Sequence, residues 1–155
     1  MNAVSAALTP PDALEKIRAA AVAAGLTHAG DVPPDLAHAL VEAGQAVLID
    51  VRAPEEIRFV GHVPGAINVP WATGLDLARN PRFLRALEAA APKEAVILLL
   101  CRSGQRSVSA AVAATAAGFA RVFNVLEGFE GALDEAGQRG RLSGWKARNL
   151  PWRQD

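Results

Sequence analysis

Hydrophobic residues in this chain fall into short, mostly apolar runs separated by stretches of helical periodicity. Residues 46–49 read as a fully apolar strand and 95–100 as the most convincing central one, with 66–69 and 121–125 as further short strands. Between them the chain alternates with helices. A start at Asp31 with Pro33 and Pro34 leads into Leu36, Leu40 and Val41 and closes at Gly44. Residues 54–59 predict a short helix, Phe83, Leu84 and Leu87 an amphipathic one over 81–91, and residues 107–117 an alanine-rich one closed by Gly118. Upstream, Thr9-Pro10-Pro11-Asp12 carries a cap, an early proline and a first-turn acid, and Leu14, Ile17 and Val22 continue that helix towards Gly25. The region after Glu127 is glycine-rich, with a short helical candidate at 145–148. Strands alternating with helices predict an α/β fold, a mainly parallel sheet covered on both faces.

The chain's 155 residues suit one domain with a terminal extension: 1–29 as a helical extension, 30–152 as the domain and 153–155 as a tail. A chain of this size buries about 68–70% of its unfolded surface, so it needs no metal or disulfide staple. Its one cysteine, Cys101, agrees with that and favours a reducing compartment. Sixteen basic and sixteen acidic side chains cancel, which argues against nucleic acid and membrane surfaces as partners. The longest strongly apolar run, 95–101, is far short of the roughly 20 residues that span a bilayer. Residues 1–9 carry no basic residue and make a poor signal peptide, so the expected location is cytoplasmic.

The candidate chemistry lies in Cys101-Arg102-Ser103-Gly104-Gln105-Arg106-Ser107, between the strongest strand and a helix. Ligands of open α/β sheets bind at such carboxyl ends. If the loop curls around the sulfur, backbone N–H groups from Ser103 to Ser107 and the helix's positive end form an anion cradle that favours a thiolate. Arg102 and Arg106 offer forked donors to a small oxyanion, or else pair with carboxylates on the surface. Gly104 lets the backbone turn.

These segments resemble a known family. Leu48-Ile-Asp-Val-Arg52 with Pro54-Glu-Glu56, Gly61-His-Val-Pro-Gly-Ala-Ile-Asn-Val-Pro70, the cysteine loop, Asn124-Val-Leu-Glu-Gly128 and Gly144-Trp-Lys are similar to the motifs of single-domain rhodaneses. The resemblance implies a five-stranded parallel sheet flanked by helices, and sulfur transfer through a Cys101 persulfide. Thiosulfate is the expected donor, and cyanide, a thiol or a protein the acceptor; no cofactor is implied. A sulfur-carrier or regulatory module is the alternative. The related cysteine phosphatases and arsenate reductases fit less well, because they use a loop one residue longer than the four residues that separate Cys101 from Arg106 here.

Two readings stay open for the supporting residues. Asp50 and Arg52 brace the cysteine loop or make local contacts with Glu55 and Glu56; Trp71 walls the site or packs in the core. His62 reads as a packed histidine bonded to backbone, His28 and His38 as incidental, and Trp145 and Trp152 as pins for the C-terminal segment. No dinucleotide, Walker or zinc motif is present, so no metal is expected, and nothing sets the oligomeric state.

Overall fold

A computed structural model of the chain describes residues 8–155; the first seven residues of the predicted extension lie outside it. The elements run α1 (Pro10–Ala23), β1 (Asp31–Val32), α2 (Pro34–Glu42), β2 (Val47–Asp50), α3 (Pro54–Val60), β3 (Ile67–Asn68), β4 (Ala72–Thr73), β5 (Ala78–Arg79), α4 (Phe83–Ala90), β6 (Ile97–Leu100), α5 (Gln105–Ala116) and β7 (Val122–Val125). Five strands form a parallel sheet in the order β1-β7-β6-β2-β3, as the α/β reading requires.

The middle strand explains the layering. All four residues of β6 are buried, and successive side chains point to opposite faces. Ile97 and Leu99 join Ile49, Val51, Phe83, Leu87, Ala110 and Ala114 in the core under α4 and α5. Leu98 and Leu100 join Leu14, Leu40, Phe123, Phe129 and Trp145 in the core under α1, α2 and the C-terminal segment. A strand buried on both sides needs no polar alternation, which is why it reads as a continuous apolar run.

Several elements differ from the sequence pattern. Asp31 opens a strand, not a helix: Asn124 N–H donates to Gly30 O at 2.9 Å and Leu126 N–H to Val32 O at 2.8 Å, so α2 begins only at Pro34. Residues read as a loop after Trp71 form the antiparallel pair β4–β5. α5 starts at Gln105, two positions earlier than the predicted 107. Residues 145–148 make turns in place of a helix, closed by Asn149 at φ 57°. α1 packs on the body through Leu14 and Ala21, both buried. Among the described residues no helix is long and apolar enough to cross a membrane.

Trp145 anchors the C-terminal segment: it is fully buried, its N–H donates to Gly128 O at 2.9 Å, and its indole Nε1 donates to Pro151 O at 2.8 Å. Trp152 stays 39% exposed, edge-on to Phe129. Two histidines also have partners that the sequence reading missed. His28 Nε2 lies 3.0 Å from Asp31 Oδ1, and His38 meets the Trp145 ring edge-on. His62 does bond to backbone, but through its own main chain to Arg153, while its ring Nδ1 is buried without a partner. Replacing Trp145 by alanine should cost about 3–5 kcal/mol in urea unfolding; a loss below about 1 kcal/mol would show that the segment is not held by this side chain.

Candidate active site

Cys101 directly follows β6, where the chain leaves the sheet and turns into α5. Gly104 N–H donates to its Sγ at 3.1 Å and Ser107 N–H at 3.4 Å, while Ser107 Oγ lies 3.1 Å away. Of the amides expected to form the cradle, these two reach the sulfur. Gly104 makes the turn possible: as the residue capping α5 it holds φ 101°, a conformation L side chains rarely adopt. Cys101 itself is 1% exposed, more enclosed than an open cradle would be.

The loop is gripped from the other side by the segment after β7. Phe129 N–H donates to Cys101 O at 2.8 Å and Glu130 N–H to Arg102 O at 2.9 Å. Gly128, at φ 69°, allows this approach, since a Cβ there would stand 2.5 Å from the Arg102 carbonyl. Asp50 and Arg52 form a buried ion pair, with Arg52 Nη2 donating to Asp50 Oδ2 at 2.7 Å and to Gly61 O at 2.8 Å. The Arg52 guanidinium also stacks 4.3 Å over the Phe129 ring. Among the described residues the pair makes no hydrogen bond to the cysteine loop; it reaches the loop through Phe129 and through the charge of Asp50 on Arg106.

Arg106 belongs to α5 and is committed. Its Nη1 and Nη2 donate to Glu56 Oε2 and Oε1, both at 2.7 Å. Glu56 Oε2 also accepts Ala53 N–H at 2.9 Å, capping α3, so the carboxylate that ties α3 to α5 is itself held in place. Arg102 is different: part-exposed, with a buried Nε that has no partner. It lines a cavity of about 460 Å³ together with Ala53, Glu55 and Glu56 on one side and Gly74, Leu75 and Leu77 on the other. Neither Cys101 nor Trp71 lines that cavity. Trp71 sits edge-on to Phe83 with the Arg79 guanidinium 4.5 Å over its ring, packed on the core that holds Cys101. Ser103 is part-exposed and Gln105 exposed.

The loop, its gripping segment and the five-stranded parallel sheet point to one family. Residues 33–135 match the Rhodanese-like domain family. The chain belongs to it. It is 38% identical over 100 residues to the senescence-associated protein DIN1 of Raphanus sativus, a match covering 63% of this chain and 54% of that protein, so it spans about half the length of that relative. It is 39% identical over 98 residues to thiosulfate sulfurtransferase 16, chloroplastic, of Arabidopsis thaliana, covering 61% of this chain and 78% of the relative. The crystal structure of Rv0390 from M. tuberculosis superposes with a TM-score of 0.72 at 44% identity, covering 81% of this chain and 97% of that one. Relatives in this rhodanese-like family thus include a protein named as a sulfurtransferase.

Sequence reasoning noted Asn124 and Glu56 within the motifs but gave neither its role: Asn124 receives the Ser107 hydroxyl, and Glu56 occupies Arg106. A polar residue inside the apolar run 122–125 was the available signal for the first. Burial pushes the Glu56 carboxyl up, but hydrogen bonds from Arg106 and Ala53 and the charges of Arg106 and Arg52 outweigh it and hold the carboxyl below its ordinary 4.5. A carboxyl lowered in the fold stabilises above its unfolded value, and that contribution is lost as pH falls through the lower folded one. Glu127, lowered mainly by its hydrogen bond from Arg148, acts in the same direction. Urea midpoints should therefore fall as pH drops below about 4.5, and Glu56→Gln should flatten, without abolishing, that fall; an unchanged slope would mean the Arg106 pair contributes nothing to folding.

Proposed function

We propose that this rhodanese-like protein is a sulfurtransferase that moves sulfane sulfur from thiosulfate, or a similar small anion, to a thiophilic acceptor through a persulfide on Cys101. The observation that carries the reading is a lone cysteine at a strand end whose sulfur receives two backbone N–H groups, one from the residue capping α5 and one from its first turn. The Cys101 thiolate attacks the outer sulfur of thiosulfate. A new S–S bond forms, the old one breaks, and its electron pair leaves on sulfite. Cyanide or a thiolate then attacks the outer sulfur of the persulfide, and the returning pair regenerates the Cys101 thiolate. With one cysteine in the chain, the acceptor must be external. The chemistry calls for no cofactor, and it suits a reducing location such as the cytoplasm.

In this reading Arg102 meets the donor. A buried guanidinium N–H without a partner is costly, and an incoming oxyanion would satisfy it. Arg106 acts through Glu56 to hold α5, and contributes its charge at a distance to Cys101. Ser103 and Gln105 complete the loop, while Asp50, Arg52 and Trp71 support it through the core. The enclosure of Cys101 favours a second reading, a carrier that takes sulfur from one protein and passes it to another with little turnover on small molecules, because the loop must yield before any reagent reaches the sulfur.

Intact mass after thiosulfate treatment should rise by one sulfur, about 32 Da, in the native protein and not in Cys101→Ser. No gain in the native protein, or a gain that survives the substitution, would overturn the reading. Repeated thiosulfate-to-cyanide turnover separates an enzyme from a carrier. Arg102→Ala should reduce thiosulfate kcat/KM by about tenfold or more, and mercaptopyruvate use by less, since the dianion loses the larger attraction. Equal losses on both donors would remove Arg102 from donor recognition.

A further inference from the structure

A buried polar chain leads from the sulfur across the sheet to its edge. Ser107 Oγ, 3.1 Å from Cys101 Sγ, donates to Asn124 Oδ1 at 2.5 Å. Asn124 Nδ2 donates to Asp31 Oδ1 at 3.0 Å, and the same oxygen meets His28 Nε2 at 3.0 Å. Strand register builds this line: Asp31 pairs with Asn124 across β1 and β7, and Asn124 with Leu99 across β7 and β6. Cys101 shares the face of Leu99. Ser107 is fully buried and Asn124 is 2% exposed, so the bonds from Cys101 through Ser107 to Asn124 are sheltered from water, while Asp31, with a side chain 36% exposed, meets solvent at the sheet edge.

Their direction is set from the far end. A carboxylate only accepts, so Asn124 turns its NH2 group to Asp31 and its carbonyl to Ser107. That carbonyl also only accepts, so the Ser107 proton goes to Asn124. What remains for Cys101 is a lone pair.

We propose that Asp31, Asn124 and Ser107 are positioning residues that aim a hydroxyl lone pair at Cys101 Sγ, favouring the states in which Sγ is uncharged, thiol and persulfide, over the thiolate. The inference rests on Cys101 as the reacting sulfur of the proposed function. In the thiol, S–H donates to Ser107 Oγ. In the persulfide, the negative charge lies on the outer sulfur, beyond the hydroxyl. The amides of Gly104 and Ser107 act in the opposite sense, so the thiolate is held without being made inert. Other charged groups near the sulfur are Arg102 in the loop, Arg106 on α5 with Glu56 on α3, and the Asp50–Arg52 pair after β2. Among the described residues none of these bonds to the Ser107 or Asn124 side chain.

The test is the pH dependence of Cys101 alkylation by iodoacetamide. Asn124→Leu removes the acceptor, the Ser107 proton turns to Sγ, and the midpoint should fall by about one pH unit. Asp31→Ala, at a partly exposed position on the edge strand, frees the Asn124 amide to turn and should give a smaller fall. It carries the test alone if circular dichroism shows Asn124→Leu unfolded. Because the coupling passes through one hydroxyl, Ser107→Ala/Asn124→Leu should titrate like Ser107→Ala, an equality that a merely structural role for Asn124 would not produce. A midpoint that stays or rises in the folded single variants, or a double variant that shows the whole Asn124 shift, would overturn the proposal. Alkylation uses no sulfur donor, so this result is distinct from whether thiosulfate loads Cys101.

Discussion

Two backbone N–H groups aimed at one sulfur are the interaction on which the rest of this molecule depends. A hydrogen bond to a charged group contributes about 1.5–3 kcal/mol, and since the positive end of a helix resides largely in its free first-turn N–H groups, the Gly104 and Ser107 amides are the means by which α5 would stabilise a negative sulfur. Amides have a further advantage over a side-chain acid or base. They neither titrate nor swing, so they serve the same way whether the charge sits on Cys101 or on a sulfur attached to it.

Fixed amides require a fixed loop, and much of the fold acts to fix it. Phe129 and Glu130 donate to the carbonyls of Cys101 and Arg102, Gly128 permits the approach, and Trp145 holds the next segment through the Gly128 carbonyl. The Asp50–Arg52 pair is buried, and breaking such a pair by removing one partner typically costs about 3–5 kcal/mol. Its second bond, to Gly61 O, and the stacking of Arg52 on Phe129 join the turn before β3 to the segment that grips the loop. The Glu56–Arg106 pair does the same work from α3, pinning the first turn of α5.

Buried strands were legible because β6 has the same apolar demand on both faces, and a run such as 97–100 leaves no doubt about where the sheet's centre lies. The edge was not. Asp31 and Val32 form a two-residue strand whose identity comes from pairing with β7, a non-local interaction that no local pattern encodes. The site divided along similar lines. The cysteine, the glycine turn and the arginines stand together in sequence and announced themselves by type. The partners of those residues did not: Glu56 lies fifty positions from Arg106, and Asn124 seventeen from Ser107, so only the fold brings them together. Arg106 shows the consequence, since a forked cation beside a thiol reads as an anion contact until its carboxylate partner comes into view. Arg102, with its Nε unpaired, lines a sizeable cavity beside the loop.

In the proposed transfer the donor anion meets Arg102 at the cavity, and Cys101, 1% exposed and outside that lining, becomes reachable only with a local opening of an otherwise fixed loop. The most direct measurement is a crystal structure of thiosulfate-treated protein. The account predicts one added sulfur bonded to Cys101 Sγ, within about 3.5 Å of backbone nitrogens of the 102–107 loop. An added sulfur that points away from those nitrogens, or an unmodified Cys101 with the loop unmoved at saturating donor, would contradict it.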